Sequence, residues 1–350
     1  MVEQERGHTR REILSQTSAW RSALAELRAR ADALRAFWEG GRFSDVVLVG
    51  CGSTYYLSLA LAPLVQSLLP VRSVRVAPAS ELLLFPEAVI PWEGRPVLVA
   101  ISRSGRTTET VRAARAFRER TRAPVWAISC YEASPLVQES DLALVATEGK
   151  EESVVQTRSF TSMLLLAQAS VWLLSHGEHS PDVLPAVGDR LLHESQGLAR
   201  ELGEDLTLQR FFFLGSGLQY GLACEAALKM KEMALSHAEA FHFLEFRHGP
   251  MSLVDRATLV VGLLSERAWD YEVEVLREMR ALGARTLALA EGPGQGPLPA
   301  DHHVFFASGL PEPLRGVLYL PLLQWMACCR ALRKGLNPDI PKHLSAVVVL

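Results

Sequence analysis

The chain has 350 residues, 49% hydrophobic and 21% charged, the balance of a globular protein with room for two domains of ordinary size. A formal net charge of −3 offers no basic surface for nucleic acid and no polybasic patch for a membrane. The five cysteines, Cys51, Cys130, Cys224, Cys328 and Cys329, form no CxxC pair and no spaced metal quartet, so buried free thiols are expected and no metal.

The N-terminus, MVEQERGHTRREIL, carries charge but no apolar core, so no secretory signal is expected there. Thr9 to Gly40 predicts one helix, with apolar positions at Ile13, Leu14, Leu24, Leu27, Leu34 and Phe37. The period then changes. DVVLVG (45–50) is a short β-branched run ending on glycine, followed by the helical pattern YYLSLALAPLVQSLL, the start of an α/β unit. Four more strands are predicted in 71–79, 96–105, 124–130 and 142–147, with helices at 80–85 and 107–120. The apolar helix near 161–174 closes the half; with Gln168 and Ser170 it is too short and too polar to span a bilayer. Reduced cytoplasm is therefore the expected location.

The second half repeats this order. FFFLGSG (211–217) matches DVVLVGCGS, TLVVGLLS (258–265) matches VLVAISRS, TLALAE (286–291) matches VWAISC, and HHVFFAS (302–308) matches LALVAT. A helix from Trp269 to Leu282 follows the second of these, and 314–334 matches the closing helix. Gly215 minus Gly50 is 165 and Ser265 minus Ser102 is 163, an offset that predicts two tandem copies of one α/β domain, each with a mostly parallel, doubly wound sheet. The expected division is a helical segment over 1–44, domains over 45–195 and 196–335, and a tail over 336–350. The join is expected in the polar helix around Leu191–Glu204.

Two kinds of site residue stand out. At the carboxyl ends of first-half strands, GCGST and SRSGRTTET supply Ser53, Thr54, Ser102, Ser104, Thr107 and Thr108, with glycines that let backbone amides approach an anion. A third cluster, Gln156, Thr157, Arg158 and Ser159, precedes the closing helix. Each hydroxyl alone reads as a helix N-cap; three clusters on one half point to phosphate. Neither loop fits GxGxxG and there is no GK[ST], which excludes the usual dinucleotide and NTP signatures. In the second half, Glu225, Lys229 and Glu232 recur at i, i+4 and i+7, within about 60° of one another on a helix apolar on most sides. Such charges are costly to bury unless they pair or do chemistry. Arg247-His248-Gly249-Pro250 follows. On residues alone, Glu232 is either half of a structural ion pair or a catalytic base, and His248 either a turn residue or an acid.

GCGST, ISRSGRTTET, SFTS, then EAALKMKE, HAEAF and RHGP together resemble the double-domain sugar isomerase (SIS) family, including the isomerase half of the glucosamine-6-phosphate synthases and the stand-alone amino-sugar-phosphate deaminases and isomerases. The resemblance covers essentially the whole chain. No glutamine-hydrolysing domain and no DNA-binding helix-turn-helix is expected ahead of it. It implies that Ser53, Thr54, Ser102, Arg103, Ser104, Thr107, Gln156 and Thr157 surround a hexose 6-phosphate. Glu232 is then the glutamate that shuttles a proton between C1 and C2, with Lys229 and Glu225 beside it. His248 is the ring-opening histidine, contributed across the interface of a homodimer. It implies no cofactor. Two positions depart from the family pattern: Arg103 replaces a neutral residue, and Ala346 stands where a tail lysine would form a Schiff base, with Lys342 four residues earlier. The expected reaction is isomerisation with deamination of glucosamine 6-phosphate. The alternatives are an aminotransferase fed by ammonia or a partner glutaminase, and a non-catalytic sugar-phosphate sensor.

Overall fold

The computed structural model describes residues 7–294 and 298–345. These form two compact units. The first is built on Ser15–Glu151 and Gln156–Asp182; the second on Val183–Leu344, with the N-terminal residues as far as Leu14 and the strip Glu152–Val155.

In chain order the elements are α1 (His8–Leu14), α2 (Gln16–Gly41), β1 (Asp45–Gly50), α3 (Ser53–Leu68), β2 (Ser73–Pro78), α4 (Ala79–Leu84), α5 (Pro86–Val89), β3 (Pro96–Ile101), α6 (Thr108–Thr121), β4 (Val125–Ser129), α7 (Pro135–Gln138), β5 (Leu142–Val145) and α8 (Arg158–Leu174). They continue with α9 (Leu184–Glu204), β6 (Arg210–Gly215), α10 (Leu218–Ala234), β7 (His237–Phe241), α11 (Phe243–Phe246), β8 (Thr258–Leu263), α12 (Trp269–Ala281), β9 (Arg285–Ala290), β10 (His302–Phe305) and α13 (Leu320–Arg333). Among the described residues, no helix is long and apolar enough to cross a membrane.

The first unit holds a five-stranded sheet in the order β2-β1-β3-β4-β5, parallel throughout. All six residues of β1 are buried, as a strand covered on both faces requires. Val47 and Val49 pack with Leu98 and Ala100 against Leu82 of α4 and Val111 and Phe117 of α6. Helix α2 packs against α8, where Thr161 Oγ1 accepts the indole N–H of Trp20 and donates to Gln16, both at 2.9 Å.

The second unit repeats the plan: its sheet runs β7-β6-β8-β9-β10, again parallel. The pairing registers correspond residue by residue. Asp45 faces Ser73 on one side and Pro96 on the other; Arg210 faces His237 and Thr258. The separation between counterparts is not constant. It shortens from 165 (Asp45 to Arg210) to 160 (Leu142 to His302) as the intervening connections lose residues. The glycine turns also correspond: Gly52 has φ 57°, ψ −124° and Gly217 has φ 56°, ψ −127°.

Two sequence expectations are corrected. The single N-terminal helix is broken at Ser15, and α1 and α2 go to different units. Asp339 causes the first of these placements: its carboxylate accepts from His8 N (2.9 Å) and Thr9 N (2.7 Å), capping α1 within the second unit. The second correction is β7, a strand where the apolar pattern predicts none. HAEAF is a partly exposed edge strand, so it lacks the apolar run that marks its buried neighbours. Helix α9 lies wholly in the second unit, and the division between units falls at Asp182–Val183.

Close packing makes a test of the turns. A Cβ on Gly50 would lie 2.5 Å from the backbone carbon of Thr54, so Gly50→Ala is expected to cost about 1–3 kcal/mol in urea unfolding. Gly197→Ala, on the exposed side of α9 with nothing near the new methyl, is expected to gain about 0.5–1 kcal/mol. Equal effects at the two positions would contradict this account.

Candidate active site

In the first unit the hydroxyl residues fall where parallel sheets present ligands, beyond the carboxyl ends of β1 and β3. Ser53 and Thr54 open α3 and are buried. The Thr54 hydroxyl serves its own turn, accepting from Cys51 N (2.9 Å) and donating to Cys51 O (3.0 Å). Ser102 follows β3; its Oγ accepts from Gly105 N (3.2 Å) and donates to Thr107 Oγ1 (3.3 Å). Ser104 Oγ accepts from Arg106 N (3.2 Å). The structure thus gathers Ser102, Ser104 and Thr107 on one turn at the head of α6. Gly105 is left-handed there, with φ 60°, and a Cβ on it would meet Ser134 Oγ at 2.1 Å. A cavity of about 400 Å³ lined by Ile90, Trp92, Gly94 and Arg120 touches Pro96, at the amino end of β3. It lies at the wrong end of the sheet to serve these loops.

Arg103 and Thr157 behave differently from the sequence picture. Arg103 is only 8% exposed, and its Nη1 lies 3.4 Å from a carboxylate oxygen of Glu151. The Thr157 hydroxyl also goes to Glu151, at 2.8 Å, and Thr157 is fully buried. Gln156 sits beside it, half-buried, with an oxygen that has no hydrogen-bond partner among the described residues.

In the second unit the charged stripe is real and stands on α10. Lys229 Nζ is 3.2 Å from Glu225 Oε1 and donates to Glu232 Oε2 at 2.5 Å. Glu225 and Lys229 are wholly buried, whereas the Glu232 side chain is 19% exposed. Burial by itself pulls an ammonium's pKa down, but the two flanking carboxylates outweigh it and hold Lys229 above the ordinary lysine value. The stripe is therefore two buried charges and one reachable acid. His248 lies apart from it in sequence and element, exposed on the turn after α11, with its amide donating to Glu245 O (2.9 Å). That turn is held from behind: Arg247 forms a two-pronged pair with Glu278 on α12, both arms 2.7 Å, and Phe243 and Phe246 are buried.

Two acids were not singled out by sequence reasoning. Glu151 offered no local signal, being six residues ahead of the segment it serves. Glu272 did offer one: it sits on α12 among the buried positions Val275, Leu276 and Met279, an acid on an apolar stripe. It accepts from Ser265 N (2.6 Å) and Ser265 Oγ (3.1 Å) and from the hydroxyl of Ser216. Burial outweighs these bonds and pushes its pKa up to about 7. Ala346 lies outside the described residues.

A family model for the SIS domain matches residues 44–173 and 208–327. The glutamine–fructose-6-phosphate aminotransferase (isomerizing) of Pyrobaculum aerophilum is 30% identical over 324 residues, covering 87% of this chain and 51% of that protein. Its namesake from Methanothermobacter thermautotrophicus is 28% identical over 348 residues, covering 97% and 57%. The chain thus spans about half the length of these curated relatives. Among solved structures, a glucosamine-6-phosphate deaminase from Thermotoga maritima superposes with a TM-score of 0.75 at 28% identity, over 94% of this chain and 100% of that one. A tagatose-6-phosphate ketose/aldose isomerase from Escherichia coli gives 0.86 at 25% identity, over 99% and 96%.

Two measurements test the electrostatics. Lys229→Met leaves Glu225 buried without its counter-charge and is expected to cost about 3–5 kcal/mol in urea unfolding, with part recovered when Glu225→Gln is added. For Glu272, the folded chain keeps a proton between about pH 4.5 and 7 that the unfolded chain releases, so stability falls as pH rises through that window. The wild type should therefore lose roughly 2–3 kcal/mol relative to Glu272→Gln between pH 4.5 and pH 7.5. Parallel stability curves for the two proteins would refute this assignment.

Proposed function

The chain belongs to the SIS domain family, and from that membership we propose that it is an amino-sugar-phosphate isomerase that deaminates glucosamine 6-phosphate to fructose 6-phosphate and ammonia. The carrying observation is Glu232: the one partly exposed acid of the α10 stripe, hydrogen-bonded to a buried ammonium. A carboxylate so placed is held by the Lys229 ammonium and is reachable by a substrate carbon, as a base in proton transfer must be. In this reading Glu232 takes the proton from C2 of the open-chain sugar and returns one to C1. The resulting ketose imine adds water and releases ammonia, so substrate plus water balances ketose phosphate plus ammonia. No redox change occurs.

Ser102, Ser104 and Thr107, gathered at the head of α6, are the proposed phosphate ligands, with Ser53 and Gln156 for sugar hydroxyls. The dipole at the start of a helix favours a phosphate. Thr54 and Thr157, whose hydroxyls serve the fold, support this set from behind. His248 is the proposed ring-opening group. Its exposure on a turn braced by Arg247 suits a side chain presented to a second copy of the chain, which makes the proposed enzyme a homodimer. Glu225 and Lys229 hold Glu232 and touch no substrate.

A second reading, addition of ammonia to fructose 6-phosphate in the synthetic direction, is favoured by the naming of both curated relatives. A panel of amino-sugar and ketose 6-phosphates in deuterated water, followed by NMR and an ammonia assay, decides among these. Exchange of the C2 proton with ammonia release is expected for glucosamine 6-phosphate. No ammonia release from glucosamine 6-phosphate, with amination of fructose 6-phosphate only when glutamine and a partner glutaminase supply the nitrogen, would favour the second reading. Tight binding without exchange would replace both with a sugar-phosphate sensor. Glu232→Gln is expected to lower the exchange rate about 10³-fold and leave ligand affinity nearly unchanged.

A further inference from the structure

Glu151 has no part in the roles assigned above, yet its fully buried carboxylate gathers donors from two segments of the first unit. Oε1 accepts from Thr157 N (2.6 Å), Thr157 Oγ1 (2.8 Å) and Ser159 N (3.2 Å). Oε2 accepts from Ser159 Oγ and from Arg103 Nη1 at 3.4 Å. Helix α8 has no side-chain cap from its own Thr157. Glu151 supplies that cap from six residues upstream, with its negative charge against the positive end of the helix dipole. Arg158, the first residue of α8, reaches back to Lys150 O (3.0 Å from Nε) and secures the same corner.

Arg103 belongs to the other segment. It stands in the turn between β3 and α6, between the hydroxyls of Ser102 and Ser104. Its carbonyl accepts from Ser129 Oγ (3.1 Å) and Cys130 N (3.0 Å). Its guanidinium runs inward to Glu151. The turn is thus fastened at both the backbone and the side chain of one residue.

We propose that Glu151 is a positioning residue for the sugar phosphate: through Arg103 it fixes the Ser102–Thr107 turn to the start of α8, and its charge confines the phosphate to that turn. The inference rests on the reading of the chain as a sugar-phosphate enzyme. The start of α8 would otherwise be a second anion site, since helix N-termini bind phosphate readily. With a carboxylate already on the amides of Thr157 and Ser159, an incoming phosphate meets like charge there and is excluded. The turn at the head of α6 then takes the anion, and the segment at Gln156 is left for uncharged sugar hydroxyls. Arg103 serves as the strut between the two rather than as a phosphate ligand.

The test compares wild type, Glu151→Gln, Arg103→Gln and the double variant. KM and kcat are measured with the sugar 6-phosphate, and binding of inorganic phosphate by calorimetry. Each single variant is expected to raise KM about tenfold, with kcat within threefold, and to weaken phosphate binding at the Ser102–Thr107 turn about tenfold. Glu151→Gln, with the like charge gone from the start of α8, is also expected to show a second phosphate-binding event that Arg103→Gln lacks. The double variant should be no worse than the poorer single, because both act through one strut. Unchanged KM and phosphate affinity, a fall in kcat or melting temperature alone, or multiplying effects in the double variant would each overturn the proposal. If Glu151→Gln does not fold, Arg103→Gln decides by the same numbers, since it leaves the bonds to Thr157 and Ser159 in place. Absence of turnover in the wild type would count against the proposed reaction; the calorimetry reads the strut independently of it.

Discussion

Removing a carboxylate from water costs several kcal/mol, and this chain does so at Asp45, Glu151, Glu225 and Glu272. Most of what distinguishes its two units follows from how each of those charges is compensated. Asp45, at the start of β1, is met by Arg72 (2.9 Å), Ser44 (2.7 Å) and Ser73 (2.6 Å), which ties β1 to its edge neighbour β2. Glu151 is met by the head of a helix and a distant arginine. Glu225 has an ammonium one turn away. Glu272 has two serines and a pKa near neutrality. Glu225 is compensated from nearby in the chain, whereas Asp45 and Glu151 draw together segments 27 and 48 residues apart.

The duplicated frame shows how two copies of one design come to differ. Their sheets share strand order and register, and their first turns share a left-handed glycine at the same place. What changed is the chemistry at the strand ends. After β3 the first unit carries Ser102, Arg103 and Ser104; after β8 the second carries Leu264, Ser265 and Glu266, with Glu272 bonded to Ser265. One copy keeps hydroxyls on the turn at its strand end. The other spends its serine on an internal carboxylate and places its charge on α10.

Much of this was legible in the sequence, for physical reasons that can be stated. Central parallel strands are buried on both faces and so appear as apolar runs; β1, β3, β6 and β8 all do. The stripe on α10 was legible because 3.6-residue periodicity converts spacing into a shared face. Edge strand β7 was not, because half of it faces water. Nor was the break at Ser15, because nothing local ends the helix there: α1 is capped by Asp339, far along the chain. The fates of Arg103 and Thr157 were hidden for a similar reason. Their positions in hydroxyl-rich turns suggested ligand contacts, and only the fold reveals that a buried glutamate holds both.

The capping of α1 also has a consequence for synthesis. His8 and Thr9 leave the ribosome some 330 residues before the carboxylate that receives their amides. A seven-residue helix is too short to persist alone in water, so α1 is expected to stay unformed while the first unit folds behind it. The second unit is expected to close late, around a segment made well before its own sheet. Such long-range closure is slow compared with the folding of local elements. A nascent chain stalled before Asp339 would expose the apolar flank of α1, Ile13 above all, to proteases and chaperones.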